Sequence, residues 1–202
     1  MDWTKLPEDI IIEKTSNNLK QRGVETFIVN TRDEAKKKVL ELVPEGSEVM
    51  NNTSVTLDQI GVSKEILESG RYNALRKIIM STSDKEQRQK WRKITATAEY
   101  SIGSVQAVTE DGQVVIVSNT GSQLSPYASG AANVVWVVGT QKIVKNLDEA
   151  FKRIREYTLP LESERMKKAY GVGSNISKIL IIEKEVVPGR TKLIFVKENL
   201  GF

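Results

Sequence analysis

The sequence has 202 residues, of which 39% are hydrophobic and 28% are charged, and its formal net charge is +4. This length and composition are typical of one globular domain with a sizeable apolar core. The sequence contains no Cys and no His, which excludes disulfides, thiolate-ligated clusters and any Ser-His-Asp or Cys-His site within it. Chemistry must therefore depend on carboxylates, hydroxyls, lysines and backbone groups.

The basic residues are spread along the chain, whereas nucleic-acid binding requires them clustered on one face. The densest basic stretch, residues 84–93, is interpreted as a solvated helix face. No run approaches the roughly 18 apolar residues of a membrane span, and the N-terminus has no apolar signal segment. We expect a cytoplasmic protein with no nucleic-acid or membrane partner.

The first part of the chain predicts alternating helices and strands. Residues 8–22 favour a helix that ends at Gly23, and its thin apolar stripe predicts packing at an edge or on a partner subunit. We interpret residues 1–23 as a helical arm of a single domain that spans residues 1–202. A strand is expected at residues 25–29, followed by a helix that begins with a capping box at Thr31.

Shorter elements follow. Residues 48–50 predict a strand, and a second capping box at Thr56 predicts a short helix. Residues 76–80 are expected to be extended, and residues 84–100 favour a long polar helix. The β-rich runs around Thr109-Glu110-Asp111-Gly112 indicate a hairpin.

The last part of the chain decides the predicted fold class. The unbroken apolar run at residues 134–138 is typical of a strand covered on both faces, as in a parallel sheet. Asn146 is expected to cap a helix, and strands are predicted at residues 178–183 and 191–196. Together these elements indicate an α/β fold, a three-layer α/β/α sandwich with a mostly parallel sheet and some antiparallel strands.

Small polar turns after strands are the candidate binding segments, because ligands of open α/β sheets bind at the carboxyl ends of strands. The loop at residues 170–175 is interpreted as a cover over a pocket. For the small polar turns that follow strands, simple helix capping or an exposed turn is the alternative to ligand binding. The candidate ligand-binding residues are Asn51, Thr53, Ser54, Gly103, Ser104, Gly121, Ser122, Gln123, Gly139 and Lys142.

Glu110 is the candidate for acid, base or nucleophile chemistry, and it lies between the small-residue turns Gly103-Ser104 and Gly121-Ser122. Lys142 follows the buried strand and could reach an anion in that crevice, while an exposed lysine after a turn is the slightly favoured alternative. No metal site is predicted, and the cofactor is left undetermined. The expected partner is a small anionic molecule.

Four segments carry a family resemblance. They are residues 51–61, with Asn51-Asn52-Thr53-Ser54, residues 103–112, with Glu110-Asp111-Gly112, residues 137–147, with Gly139-Thr140-Gln141-Lys142, and residues 195–202. Together they resemble the LUD-domain family of lactate utilisation proteins. The resemblance implies a fold like that of the NagB/RpiA/CoA-transferase group and a bacterial or archaeal protein. The family turn Gly-Gly-Ser is replaced here by Asn51-Asn52-Thr53-Ser54, and the cysteine-rich segment of some members is absent.

The resemblance also implies a function. An accessory protein of lactate or related organic-acid oxidation, which binds a small anionic metabolite or nucleotide-like ligand, is the leading hypothesis. One alternative is an acyl- or CoA-transferase-like enzyme with Glu110 as nucleophile, by a fold-level analogy. Another is a non-catalytic scaffold for iron–sulfur partner proteins, and a homo-oligomer is compatible with each hypothesis.

Overall fold

The strands of this protein form two sheets in a computed structural model that describes residues 1–82 and 84–202. The strands are β1 (Glu25–Val29), β2 (Glu48–Asn51), β3 (Asn73–Ala74), β4 (Tyr100–Gly103), β5 (Ala107–Thr109), β6 (Val114–Ser118), β7 (Asn133–Gly139), β8 (Ile143–Val144), β9 (Lys178–Ile182) and β10 (Thr191–Val196). In these residues six strands form the main sheet in the order β1-β10-β7-β4-β2-β3, with parallel neighbours throughout. β7 lies inside this sheet and residues 134–138 are fully buried, as their apolar run predicts.

The helices are α1 (Asp9–Gln21), α2 (Arg32–Leu42), α3 (Val55–Gln59), α4 (Val62–Glu68), α5 (Leu75–Ser81), α6 (Lys85–Ala96), α7 (Leu147–Arg153) and α8 (Leu159–Tyr170). One face of the main sheet is covered by a core to which α2, α3 and α4 contribute buried residues such as Val39, Leu57 and Ile66. A π-helical segment, Ile154–Thr158, joins α7 to α8. None of the helices in the described residues is both long and apolar enough to cross a membrane.

The second sheet has the order β8-β5-β6-β9 and contains the antiparallel pairs β5–β6 and β6–β9. Alternate residues of this sheet have different environments. Val108 and Val114 pack in the core shared with Trp136 of the main sheet, whereas Ala107 and Val115 pack with Ala150 of α7. The second sheet therefore lies between the main sheet and α7, and the predicted α/β class with a mostly parallel sheet and some antiparallel strands is confirmed.

Helix α1 packs on the core of its own chain. Ile12 and Leu19 are buried together with Val24 and Phe195. The helix ends before Gly23, whose φ of 81° is the left-handed conformation that the sequence predicted there.

Several local predictions are confirmed and others are wrong. The Thr31 and Asn146 caps form as expected, but Ser54, not Thr56, caps α3. Residues 76–80 are helical in α5 rather than extended. The long polar helix α6 ends at Ala96, and Tyr100 begins β4 because pairing with β2 and β7 outweighs local helix preference.

Candidate functional site

A cavity of about 320 Å³ lies at the carboxyl ends of three neighbouring strands of the main sheet. Asn52 follows β2, Ser104 follows β4, and Lys142 ends the short 3₁₀ turn after β7; all three line this cavity. The order β7-β4-β2 makes these strand ends adjacent. The volume is in the range of small-ligand sites, and the position is where open α/β sheets bind ligands.

Lys142 is the unusual residue of this cavity. Its side chain is fully buried, and its Nζ donates hydrogen bonds to Thr56 Oγ1 and Ser104 Oγ, each at 3.1 Å. No carboxylate oxygen in residues 1–82 and 84–202 lies within ion-pair distance of it. Burial, with a further contribution from the positive charge of Arg153, lowers the pKa of Lys142 well below its ordinary value.

Arg153 is a second buried basic group beside the cavity. Its Nη1 donates to the carbonyl oxygen of Gln106 at 2.6 Å and to Thr158 Oγ1 at 3.0 Å, and both of these residues line the cavity. Its Nε and Nη2 are buried with no hydrogen-bond partner among the described residues. Burial lowers the pKa of Arg153 to about 10. Two buried basic groups without a carboxylate partner in this part of the chain therefore lie near one cavity, an arrangement that an anion would stabilise.

Helix α8 contributes one side of the cavity. Leu159, Glu162, Met166 and Tyr170 recur at helical spacing on the face that lines it. Arg165 donates two hydrogen bonds of 2.7 Å to the Glu162 carboxylate. These hydrogen bonds raise the pKa of Arg165, and Glu162 already compensates its charge.

Tyr127 forms a rigid part of the wall. Its ring packs edge-on against Trp136, with centroids 5.5 Å apart, and Asn52 Nδ2 donates to its hydroxyl oxygen at 3.2 Å. Burial raises the pKa of Tyr127. Gly103 allows this arrangement, because a Cβ at that position would lie 1.8 Å from the Tyr127 hydroxyl oxygen.

The structure brings about half of the predicted ligand-binding residues to the cavity wall. Those that line it are Thr53, Ser54, Ser104, Ser122, Gln123 and Lys142. Residues 118–123 form a turn held by its own hydrogen bonds, including Ser118 Oγ to Gln123 Oε1 at 2.9 Å.

Four of the predicted residues, Asn51, Gly103, Gly121 and Gly139, do not line the cavity. Asn51 is completely buried, and its side-chain Nδ2 and Oδ1 have no hydrogen-bond partner among the described residues. A Cβ at Gly139 would lie 2.2 Å from the Gln141 side-chain oxygen, so the backbone packs closely there.

Glu110 also lies outside the cavity lining. It accepts a 2.9 Å hydrogen bond from Lys14, and its backbone carbonyl accepts one of 2.8 Å from Asn18. Both partners belong to α1, so the hairpin turn that carries Glu110 docks against that helix.

Sequence reasoning missed Tyr127, Arg153 and the α8 residues Glu162 and Arg165. Helical spacing of residues 159, 162, 166 and 170 was a usable signal for α8, but no local signal connects this helix to the strand ends. The predicted loop over a pocket is in place, because Tyr170, Ser174 and Asn175 line the cavity. Among the described residues, no cluster of three acidic side chains is suited to hold a metal ion.

Comparisons with known proteins give one family. The sequence model described as LUD domain matches residues 12–196. A crystal structure of a DUF162 family protein from Deinococcus radiodurans is similar, with a TM-score of 0.60 and 10% identity over 95% of this chain and 99% of that one. No curated protein matches the sequence.

Two further solved structures are less similar. The eIF2B beta subunit from Chaetomium thermophilum has a TM-score of 0.40 and 9% identity over 57% of this chain and 43% of that one. The ribose 5-phosphate isomerase from Plasmodium falciparum has a TM-score of 0.38 and 7% identity over 85% of this chain and 96% of that one. At these identities the likeness concerns the fold alone.

Proposed function

The chain belongs to the LUD-domain family, and we propose that its cavity binds a small anionic metabolite in the service of lactate or related organic-acid oxidation. Family membership supports an association with lactate utilisation. The single observation that carries the ligand proposal is the position of Lys142, a buried basic group at the cavity wall with no carboxylate partner among the described residues.

The physical argument concerns charge. Removing a cation from water costs several kcal/mol unless an opposite charge compensates for it. Arg153 adds a buried guanidinium beside the same cavity, and its Nε and Nη2 have no hydrogen-bond partner among the described residues. An anionic ligand would supply the missing negative charge, and the hydroxyls of Ser54, Ser104 and Ser122 offer it hydrogen bonds.

The oxidation itself would require a partner or a bound organic cofactor. This sequence has no Cys and no His, so it cannot hold an iron–sulfur cluster by the usual ligands. We therefore propose a cytoplasmic accessory protein that acts beside iron–sulfur partner proteins. Retention of an iron–sulfur protein on the purified, tagged chain would test this part separately from ligand binding.

The ligand proposal is tested by thermal unfolding in the presence of lactate, malonate, inorganic phosphate, a nucleoside monophosphate and an acyl-CoA, each against sodium chloride of equal ionic strength. A ligand at about 100 times its Kd stabilises the folded state by about 2.7 kcal/mol. For a chain of this length that corresponds to a rise in Tm of about 5–10 °C. If none of the anions raises the Tm above its salt control, the proposal fails.

Two variants locate the binding site. Lys142→Met removes the amine, and the ligand-induced rise in Tm should disappear. Glu110→Gln is the matched control outside the cavity, and the rise should persist. A ligand effect that is lost in Glu110→Gln but kept in Lys142→Met would instead favour the alternative in which Glu110 carries the chemistry.

A further inference from the structure

The hydrogen bonds of Lys142 fit a neutral amine better than an ammonium group. The Thr56 hydroxyl donates its own hydrogen to the carbonyl oxygen of Leu200 at 3.3 Å, so toward Lys142 it can only accept. The Ser104 hydroxyl accepts the second bond. A neutral amine has two hydrogens, and both are used. An ammonium group would have a third hydrogen, for which no protein acceptor is found in the described part of the chain.

The packing around Lys142 supports the same conclusion. Gly201 has a φ of 62°, and a Cβ there would lie 2.4 Å from Thr56 Oγ1 and 3.3 Å from Lys142 Nζ. The glycine thus lets the backbone pass close to the amine. Burial and the charge of Arg153 lower the pKa of Lys142. A desolvated lysine near another cation is the usual form of a lysine nucleophile.

We propose that Lys142 forms a Schiff base with a small 2-oxo acid bound in the cavity. This inference rests on the proposed function, because it names the class of anion that the cavity takes. The carbonyl group is what a neutral amine attacks, and the carboxylate is the negative charge that the buried guanidinium of Arg153, bonded to the cavity-lining residues Gln106 and Thr158, would attract. Thr56 and Ser104 also line the cavity. Since they accept the hydrogen bonds of the Lys142 amine, this amine lies at the cavity wall.

The reaction is a condensation that releases one water. The lone pair of Nζ forms a bond to the carbonyl carbon, and the C=O π electrons move to the oxygen, which takes a proton from the nitrogen to give a carbinolamine. The hydroxyl group then leaves as water with the second nitrogen proton, and the C=N bond forms. The imine formed in this way is uncharged, so the only charge that the ligand brings into the cavity is its carboxylate.

The test is reductive trapping on the full chain. Pyruvate and glyoxylate are incubated with the protein and sodium borohydride, with lactate and acetone as probes that lack the carbonyl or the carboxylate. A trapped imine becomes a secondary amine, and the protein mass rises by the mass of the oxo acid less one oxygen atom. Peptide mapping of the unaltered protein should place this increase at Lys142, which keeps the test valid even if a variant fails to fold.

Matched variants complete the design. Lys142→Met should lose the adduct, and Lys145→Met, which removes an exposed lysine three residues away, should keep it. Equal labelling of Lys142→Met and the unaltered protein would overturn the inference. If oxo acids and lactate raise the Tm but no adduct forms, the anion site stands and the Schiff base does not. If neither a Tm shift nor an adduct is found, both proposals fall.

Discussion

Replacing Lys142 by Met should change how the stability of the protein depends on pH. The folded-state pKa of Lys142 is lowered by burial, while in the unfolded chain it returns to about 10.5. Between these two values the unfolded state binds the extra proton, so the free energy of unfolding rises with pH. Below the lowered folded-state value the slope from this residue vanishes.

The size of the effect follows from linkage. One group that is protonated only in the unfolded state gives a slope of at most about 1.4 kcal/mol per pH unit. Over two pH units this amounts to about 2.7 kcal/mol, a large fraction of a typical total of about 5–15 kcal/mol. Met has a similar length and no charge, so Lys142→Met should lack this slope. Near neutral pH the variant should be at least as stable, because it removes a costly buried base.

Urea unfolding of the unaltered protein and Lys142→Met, from about pH 7 to about pH 9.5, measures the difference directly. As the pH rises, the free energy of unfolding of the unaltered protein should increase relative to that of Lys142→Met. Lys145→Met controls for the loss of a lysine as such and should follow the unaltered protein. Parallel curves for Lys142→Met and the unaltered protein would refute the argument that this lysine is buried without compensation.

Two further predictions concern the structure around the cavity. Gly103→Ala should destabilise the protein by about 1–3 kcal/mol, because the new Cβ would lie 1.8 Å from the Tyr127 hydroxyl oxygen. Adding Tyr127→Phe removes that oxygen and should restore part of the lost stability in a double-mutant cycle. If it restores none, the contact does not explain the effect. Glu185→Gln should cost about 3 kcal/mol in urea unfolding, because it breaks the buried 2.7 Å pair with Arg190. Burial opposes the charge of Glu185, but hydrogen bonds from Val187, Arg190 and Thr191 lower its pKa below the ordinary 4.5. The unaltered protein should therefore have its full stability advantage over Glu185→Gln above pH 4.5. This advantage should shrink as the pH falls below 4.5.

Local sequence was enough to predict the elements that are buried along their whole length. The run at residues 134–138 is apolar throughout, and only a strand covered on both faces places all of it in the core. The caps at Thr31 and Asn146 are local as well, since each bonds a backbone N–H three residues away. Where pairing partners far along the chain decided the outcome, as at Tyr100, the local pattern was misleading.

Some residues of the candidate site could likewise be predicted from local sequence, and others could not. The turns after β2 and β4 and the lysine after β7 could be predicted, because the carboxyl ends of parallel strands meet at one edge. Glu110 was predicted to act with them on sequence proximity, yet the hairpin that carries it turns toward α1. The close packing at Gly103 and Gly121 depends on Tyr127 and Lys178, which are distant in sequence.

The sequence by itself determined the α/β class, the family, and the absence of Cys and His that limits the available chemistry. Only the tertiary structure decided which functional groups meet. The hydrogen bonds of Lys142 with Thr56 and Ser104 join segments 86 and 38 residues apart. Helix α8 lines the same cavity, and Arg153 donates hydrogen bonds to the lining residues Gln106 and Thr158. Burial depends on these distant segments, and burial is what makes an ordinary lysine a candidate nucleophile.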